Sequence, residues 1–322
     1  MKKAKIKFTK AILYMAITMK KYFYYFIAVA MPILFLSCGK GGNDDNDAAT
    51  VPNITMTTAK AGEVRFYLNG SGKSTINWGD GTKEDIVLSP DDYTTEYIHY
   101  YSGAVTRTIT ITGDNITKLE SGNNQLTHLN VSNNVSLEIL TCFDNEKRLL
   151  TELDVSKNIA LTELSCGGYQ LKNLDVGNNT ALKSLHCLDN QLTSLNVSNN
   201  IKLESLTCLL NQLTELDVSK NIALTDLLCS ANQLTKLNVS NNTALTYLDC
   251  SANQLTELNV SNNTALTSLN CSNNMMDVPA LEELFRSLHS NPIGYKSISI
   301  TANPGALNCD ITIAIAKGWT VY

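Results

Sequence analysis

Seven cysteines recur at a nearly constant interval through the middle of this 322-residue chain. After one gap of 24 residues, the interval is 21 residues five times in succession. A fixed period of this length predicts a stack of near-identical coils, because each coil is too small to bury its apolar face alone. The seven residues are Cys142, Cys166, Cys187, Cys208, Cys229, Cys250 and Cys271.

Each 21-residue unit divides into two halves. One unit reads LTYLDCSANQ from Leu245 and LTELNVSNNTA from Leu255. The first half fits LxxLxCxxNxL, the strand signature of leucine-rich repeats, with cysteine at the third apolar position. Both halves share the pattern LxxLx, then an apolar residue, then xxN. The pattern alone therefore does not decide which half forms the concave strand. We assign the cysteine half to the concave strand, since leucine follows its asparagine at the proper distance. The second half predicts a convex return that is too short for much α-helix.

Eight strand segments of this type precede a degenerate ninth. Stacked about 4.8 Å apart, nine coils make a rod about 40 Å long. The asparagine at the ninth position of most segments is expected to bond backbone groups of adjacent coils as an internal polar ladder. Tyr169 takes its place in the third segment, where we expect a local distortion. The segments begin at Ile116, Leu137, Leu161, Leu182, Leu203, Leu224, Leu245 and Leu266, and the ninth contains Ile298–Ile300.

The repeat LTYLDCSANQLTELNVSNNTA resembles that of the internalins, bacterial leucine-rich-repeat surface adhesins that include members with a cysteine ladder and 21-residue repeats. The resemblance covers about residues 116 to 276. It implies a mainly β, α/β-type solenoid with a parallel sheet. It also implies an extracellular binding scaffold rather than an enzyme.

The regular cysteine column predicts free, buried structural thiols. The sulfurs form a line rather than converging on one point, and no CxxC pair occurs, which disfavours a zinc site. Side chains in register on parallel strands keep their Cβ atoms about 4.8 Å apart, wider than the roughly 3.8 Å of a disulfide. Partial disulfides and a metal site are the alternatives to free thiols. We predict no metal and no cofactor.

The N-terminus has the layout of a bacterial lipoprotein signal. Seven lysines and no acidic residue precede Cys38, and the apolar run YFYYFIAVAMPILFLS leads up to it. We therefore predict a signal peptide at 1–37, lipidation at Cys38 and a tether at 38–51. An uncleaved membrane anchor is the alternative, and Met19 could be the true start. The acidic run after the cysteine resembles the surface-export signal of Bacteroidetes lipoproteins, which implies an outer-membrane, surface-exposed protein.

Charge argues against a nucleic-acid partner. The chain carries 25 basic and 30 acidic residues. Removal of the seven lysines before Cys38 leaves 18 basic residues and a net charge of −12. Nucleic-acid binding depends on neutralising phosphates with cations, so we predict none.

Two smaller regions flank the repeats, which we place at 114–276. Residues 52–113 have the composition of short strands broken by turns, and their WGDG element at Trp78–Gly81 resembles that of PKD domains, which are β-sandwiches. Trp78 is expected in the core, and Asp80 is expected to bond nearby backbone N–H groups. Residues 277–322 predict a degenerate repeat and a C-terminal cap, with a helix from Pro279 to His289.

No catalytic motif appears, so the informative residues are those that point from the concave face of the sheet. Most of these positions should be polar, yet several are apolar or aromatic, which is typical of interaction sites. Repeat drift, with these side chains covering one another, is the alternative. The candidates are Ile139, Phe143, His186, Leu188, Leu209, Leu228 and Tyr247. We therefore expect a surface lipoprotein that binds a protein, with a glycan-binding accessory protein or an envelope spacer as alternatives.

Overall fold

The computed structural model describes residues 51–90, 95–144 and 146–322. The predicted signal peptide at 1–37, the lipidation site Cys38 and the tether up to residue 50 lie outside the described residues. Among the residues that are described, no helix is both long enough and apolar enough to cross a bilayer.

The repeats stack so that each contributes one strand to a single parallel sheet. Each strand pairs in register with the same position of the next coil, for example Leu206 with Leu227 and Leu227 with Leu248. With the two C-terminal strands the solenoid has about ten turns, which confirms the predicted fold class. The strands are β7 (Ile139–Phe143), β8 (Glu163–Ser165), β9 (Ser184–His186), β10 (Ser205–Thr207), β11 (Asp226–Leu228), β12 (Tyr247–Asp249), β13 (Ser268–Asn270), β14 (Lys296–Ser299) and β15 (Trp319–Val321).

The spacing of apolar residues explains why each coil closes. Numbering each segment from its first leucine, positions 1, 4 and 6 point inward, as Leu224, Leu227 and Cys229 do with no exposed surface. The return half adds Leu234 and Val239, which are equally buried. Because these side chains meet only others from their own and adjacent coils, one continuous core runs the length of the stack.

The cysteines fill the core as free thiols. All seven are fully buried and none is bonded to another cysteine. Burial disfavours the charged thiolate, so it raises the pKa of Cys187 and of Cys271 to about 12. These thiols therefore behave as compact apolar groups rather than as nucleophiles.

The position-9 asparagines form the predicted ladder. Asn211 donates from Nδ2 to the carbonyl oxygen of Cys187 in the preceding coil (3.0 Å) and of Cys208 in its own (3.1 Å). Its Oδ1 accepts from the backbone N–H of Leu192 at 3.0 Å. Every one of these backbone groups is at a bend where the strand ladder has ended. The asparagine replaces the partners that a longer strand would have supplied.

A second asparagine column holds the convex corner. Two consecutive tight turns form there, with Asn200 N–H bonded to Val197 and Leu203 N–H bonded to Asn200. The Asn200 amide also donates to the carbonyl oxygens of Val176 and Asn179 in the preceding coil. Asparagine side chains therefore hydrogen-bond each coil to the preceding one at both ends of the strand.

The aspartates of the convex half have a simple structural role. Oδ1 of Asp217 accepts the backbone N–H of Ser219 at 2.9 Å, and Oδ1 of Asn238 does the same for Ser240 at 3.0 Å. The turn requires only a side-chain oxygen acceptor, so aspartate and asparagine alternate freely between coils.

Position 8 adopts a left-handed backbone in most coils. The φ angle is 56° at Asp189, 58° at Leu210 and 53° at Ala231 and Ala252. This conformation directs the N–H of Leu210 to the carbonyl oxygen of Ser230 in the next coil, at 3.0 Å. Because L-residues with a Cβ resist this region, each coil accepts local strain in return for an extra inter-coil bond.

The N-terminal strands close the first coil. The region contains β1 (Ile54–Thr58), β2 (Gly62–Asn77), β3 (Lys83–Leu88), β4 (Thr95–Tyr101), β5 (Arg107–Gly122) and β6 (Leu126–Asn130). Strand β5 pairs antiparallel with β1 and β2 and parallel with β7. The expected boundary between residues 113 and 114 therefore lies inside one strand that both regions share.

Arg65 of β2 takes the place of a preceding coil. Its backbone N–H donates to Oδ1 of Asn124 at 3.1 Å, and its carbonyl oxygen accepts from Nδ2 of Asn124 at 2.6 Å. The later ladder asparagines from Asn190 to Asn274 likewise bond one N–H and one carbonyl oxygen of the coil before them, although there the two groups belong to different residues. The first rung is thus satisfied by the N-terminal strands, which cover the open end of the first coil.

The WGDG turn packs as predicted. Trp78 is buried and stacks on the ring of His99, with centroids 4.8 Å apart. Asp80 accepts from the backbone N–H and the hydroxyl of Thr82, and its Oδ2 lies 2.7 Å from Nε2 of His99. These bonds, the Thr82 hydroxyl first, hold the pKa of the Asp80 carboxyl well below its ordinary value.

The C-terminal segment covers the last coils. Helix α1 (Val278–Ser287) begins after the Asp277 cap and buries Leu281, Leu284 and Phe285. A short helix α2 (Thr312–Ile315) precedes β15, and Gly318 turns the chain between them with a φ of 80°. The predicted helix is present, with its boundaries shifted by one or two residues.

We expect Asn232→Ala to lower the free energy of unfolding by about 2–4 kcal/mol, because it leaves buried carbonyl and N–H groups of two coils unpaired. Urea denaturation measures the change. The matched control is Asn199→Ala, which removes one exposed bond to Gly177 and should cost less than about 1 kcal/mol. Equal losses in the two variants would contradict the ladder's role.

We expect Ala231→Gly to raise the free energy of unfolding, by up to about 1 kcal/mol, because glycine adopts the left-handed backbone of this position without a Cβ clash. The control is Ala223→Gly, at a residue whose φ is not positive, which should cost about 0.5–1 kcal/mol. Destabilisation by both substitutions would show that position 8 is not strained.

Candidate functional site

The concave face presents three rows of side chains that cross the strands. They come from positions 3, 5 and 7 of each coil, which alternate with the buried positions 4 and 6. The position-7 row changes character along the stack: it is apolar at Phe143, Leu188 and Leu209 and becomes serine from Ser230 onward. The position-7 row is therefore apolar in its N-terminal half and hydroxyl-bearing in its C-terminal half.

Small residues make room for the apolar row. A Cβ added to Gly122 would lie 2.4 Å from the ring of Phe143, and one added to Gly167 would lie 3.0 Å from Cγ of Leu188. The large side chains therefore lie flat against the backbone of the preceding coil. A glycine at position 7 next to a large apolar residue is a signal that the sequence contained and our prediction did not use.

The structure brings six of the seven predicted residues together on β7–β11. Phe143, Leu188 and Leu209 form one row, while His186 and Leu228 share the position-5 row with Thr207 between them. Ile139 begins the position-3 row on β7. Tyr247 belongs to the same row on β12, one strand beyond β11 and five strands, or about 24 Å, from Ile139.

The candidates are less exposed than the sequence suggested. Leu209 exposes only 7% of its surface, and the other six are partly buried. The interaction site at these residues therefore stays a prediction, with repeat drift as the alternative. Leu188 and Leu209 stand one strand spacing apart, and Gly167 separates Leu188 from Phe143. The side chains of Phe143 and Leu188 lie over glycines of the preceding coils, so the candidates form a shallow surface rather than separate projections.

His186 lies in the middle of this surface. Its Nε2 is 2.8 Å from the hydroxyl of Ser184 on the same strand. Burial lowers the pKa of His186, and the nearby Glu163 carboxylate opposes that shift less strongly. The imidazole is therefore neutral at neutral pH and adds no positive charge to the apolar half.

The C-terminal half has an ordered polar network. Oδ1 of Asp249 accepts from the backbone N–H and the hydroxyl of Ser251, at 3.0 and 2.6 Å. Asn270 makes the same two contacts with Ser272. Burial raises the pKa of Asp249, although the hydrogen bonds from Ser251 and Asn270 oppose the shift.

A second apolar feature lies at the convex corner and was not predicted. The residue after each Asn-Asn or Lys-Asn pair is often β-branched and apolar, and it sits in the second of the two tight turns. Four such residues expose between 58% and 63% of their surface. They are Val135, Ile159, Ile201 and Ile222.

Comparison with solved structures supports the fold. The functional domain of InlJ from Listeria monocytogenes, described as including a cysteine ladder, is 27% identical with a TM-score of 0.37, covering 66% of this chain and 59% of that one. An internalin, InlF, from the same species is 22% identical with a TM-score of 0.51, covering 59% and 55%. The leucine-rich-repeat protein LIC12759 of Leptospira interrogans is 19% identical with a TM-score of 0.41, covering 59% and 62%.

The likeness to InlF, with a TM-score of 0.51, shows the leucine-rich-repeat solenoid that the repeat predicted. This chain spans a little more than half the length of the structures it matches. The sequence matches no protein-family model and no curated protein.

Proposed function

We propose that this chain is a non-enzymatic surface lipoprotein that captures a protein partner on the apolar half of its concave sheet. The observation that carries the proposal is the apolar position-7 row of Phe143, Leu188 and Leu209, which only Gly167 interrupts and which Ile139 and Leu228 flank. Solenoids commonly bind partners on such extended concave surfaces. Apolar and aromatic residues at the centre of a contact supply most of its affinity.

The location follows from the sequence of the N-terminus. A basic start, an apolar run and Cys38 support export and lipid anchoring, and the acidic stretch after it supports surface display. The 52–113 region, for which we propose a PKD-like fold, would then separate the solenoid from its anchor. Nothing in this arrangement requires a cofactor, a metal or a nucleic acid.

A glycan is the second candidate ligand, favoured by one observation. Tyr247 stands in the position-3 row between Asp226 and Ser268, beside the hydroxyl-rich C-terminal half. An aromatic ring with adjacent carboxylate and hydroxyl groups is the usual composition of a sugar site. Tyr247 is on β12, whereas Phe143 and Leu188 belong to the coils of β7 and β9, so variants of these residues can separate the two ligands.

The test compares cells that display the full chain with either Phe143→Gln/Leu188→Gln or the control Ile201→Gln/Ile222→Gln. A photocrosslinker at Ser184 captures the partner of the wild type, and the purified partner is then titrated against each variant. We expect the concave variant to weaken binding at least tenfold, about 1.4 kcal/mol, and the corner variant less than twofold. Thermal unfolding confirms that both variants remain folded.

Two results would overturn the protein-binding proposal. One is equal binding by the concave variant and the wild type. The other is strong binding to a glycan array that Tyr247→Ala abolishes while Phe143→Gln/Leu188→Gln leaves it intact. The absence of any partner would favour a spacer role.

A further inference from the structure

The concave sheet has an unbalanced charge distribution. Its outward positions 3, 5 and 7 contain one lysine and four carboxyl groups between β5 and β13. The lysine is Lys118, and the carboxyl groups are Glu120, Glu163, Asp226 and Asp249. On a surface that contacts only solvent, positively and negatively charged side chains are expected to be interspersed.

Internal pairing does not remove the imbalance. Lys118 is engaged by Glu120, at 2.8 Å between Nζ and Oε1. Within the described residues, no lysine or arginine forms an ion pair with Glu163 or Asp226, and the Asp226 carboxylate is contacted only by the hydroxyl of Thr225. His186, the remaining basic side chain on the face, is kept neutral by its burial. Two carboxylates beside the apolar surface thus have no cationic partner.

These carboxylates form a line parallel to the apolar row. Glu163 on β8 and Asp226 on β11 are both at position 3, three strands or about 14 Å apart. The apolar row at position 7 is four residues further along each strand, about 13 Å away. An apolar strip and an acidic strip therefore run side by side along the solenoid axis, both facing the concave side.

We propose that the partner is a protein segment with an apolar strip flanked by lysine or arginine. This inference rests on the proposed function, and it names the chemistry of the partner at that same surface. A cationic flank would pair with Glu163 and Asp226 without displacing an existing ion pair. An acidic flank would meet uncompensated like charge, so the same two carboxylates both attract the right partner and exclude wrong ones.

The dimensions suit an amphipathic helix lying across the strands. Basic residues seven or eleven positions apart on one helix face are about 10 or 16 Å apart, which brackets the Glu163–Asp226 separation. The diameter of a helix with its side chains is about 10–12 Å, close to the separation of the two strips. Its apolar face would then rest on Phe143, Leu188 and Leu209.

The probe is a pair of synthetic 18-residue helical peptides with the same leucine face. One has lysines along one flank and the other has glutamates at the same positions. Binding of each fluorescent peptide to the full chain is measured by anisotropy at about 50 and 500 mM NaCl. We expect the lysine peptide to bind at least tenfold more tightly at low salt, with the difference falling below about threefold at high salt.

The variants assign the effect to the concave carboxylates. Glu163→Gln/Asp226→Asn should reduce the preference for the lysine peptide at least threefold. Glu215→Gln/Glu257→Gln, which removes the same charge from exposed positions on the convex return, should leave it unchanged. Equal loss in the two variants would mean that overall charge, and not this strip, attracts the peptide, and would overturn the proposal.

The two proposals fail in different ways. If both peptides bind equally and Phe143→Gln/Leu188→Gln weakens both, the apolar surface is a binding site but its preference for a cationic partner is wrong. If the lysine peptide binds and the Phe143→Gln/Leu188→Gln variant binds it as well as the wild type, the concave apolar surface is wrong. If neither peptide binds, a cationic amphipathic segment is not the ligand.

Discussion

The structure depends on backbone hydrogen bonds between coils that cannot exist within one coil. Each concave strand has only three to five residues, so its ladder ends before the chain has turned the corner. The asparagine at position 9 continues the bonding by linking two carbonyl oxygens and one N–H of adjacent coils through a single amide. An isolated coil would leave these buried groups unpaired, and that cost makes stacking obligatory.

This constraint also fixes the functional surface. Each coil repeats the same bonds at the same positions. The residues at positions 3, 5 and 7 of each strand segment therefore point to the concave side. The rows are thus free to vary without affecting the core. The position-7 row changes from phenylalanine and leucine to serine along the stack, so its N-terminal half is apolar and its C-terminal half carries hydroxyl groups. The carboxylates of Glu163 and Asp226, which form no ion pair with lysine or arginine in the described residues, add negative charge beside this apolar row.

The sequence predicted the features that rest on periodicity. The 21-residue interval determines the register of Leu, Cys and Asn columns, and these appear where they were expected. It predicted less well where contacts depend on neighbouring coils. The burial of Leu209 and Phe143 did not follow from the repeat, because it depends on the preceding coil, as in the packing of Phe143 over Gly122. The apolar corner at Ile201 and Ile222 was missed because the turn residue after the asparagine varies between isoleucine and threonine.

The thiol column gives the most direct test of the stacked core. Under native conditions at pH 7.5, the seven column cysteines of the full chain should react with a maleimide at least a thousandfold more slowly than the half-buried Cys309, which serves as the internal reference. Mass spectrometry of peptides assigns each site, and unfolding in urea should make all seven reactive. Rapid labelling of the column at the rate of Cys309 in folded protein would contradict a dry, continuous core.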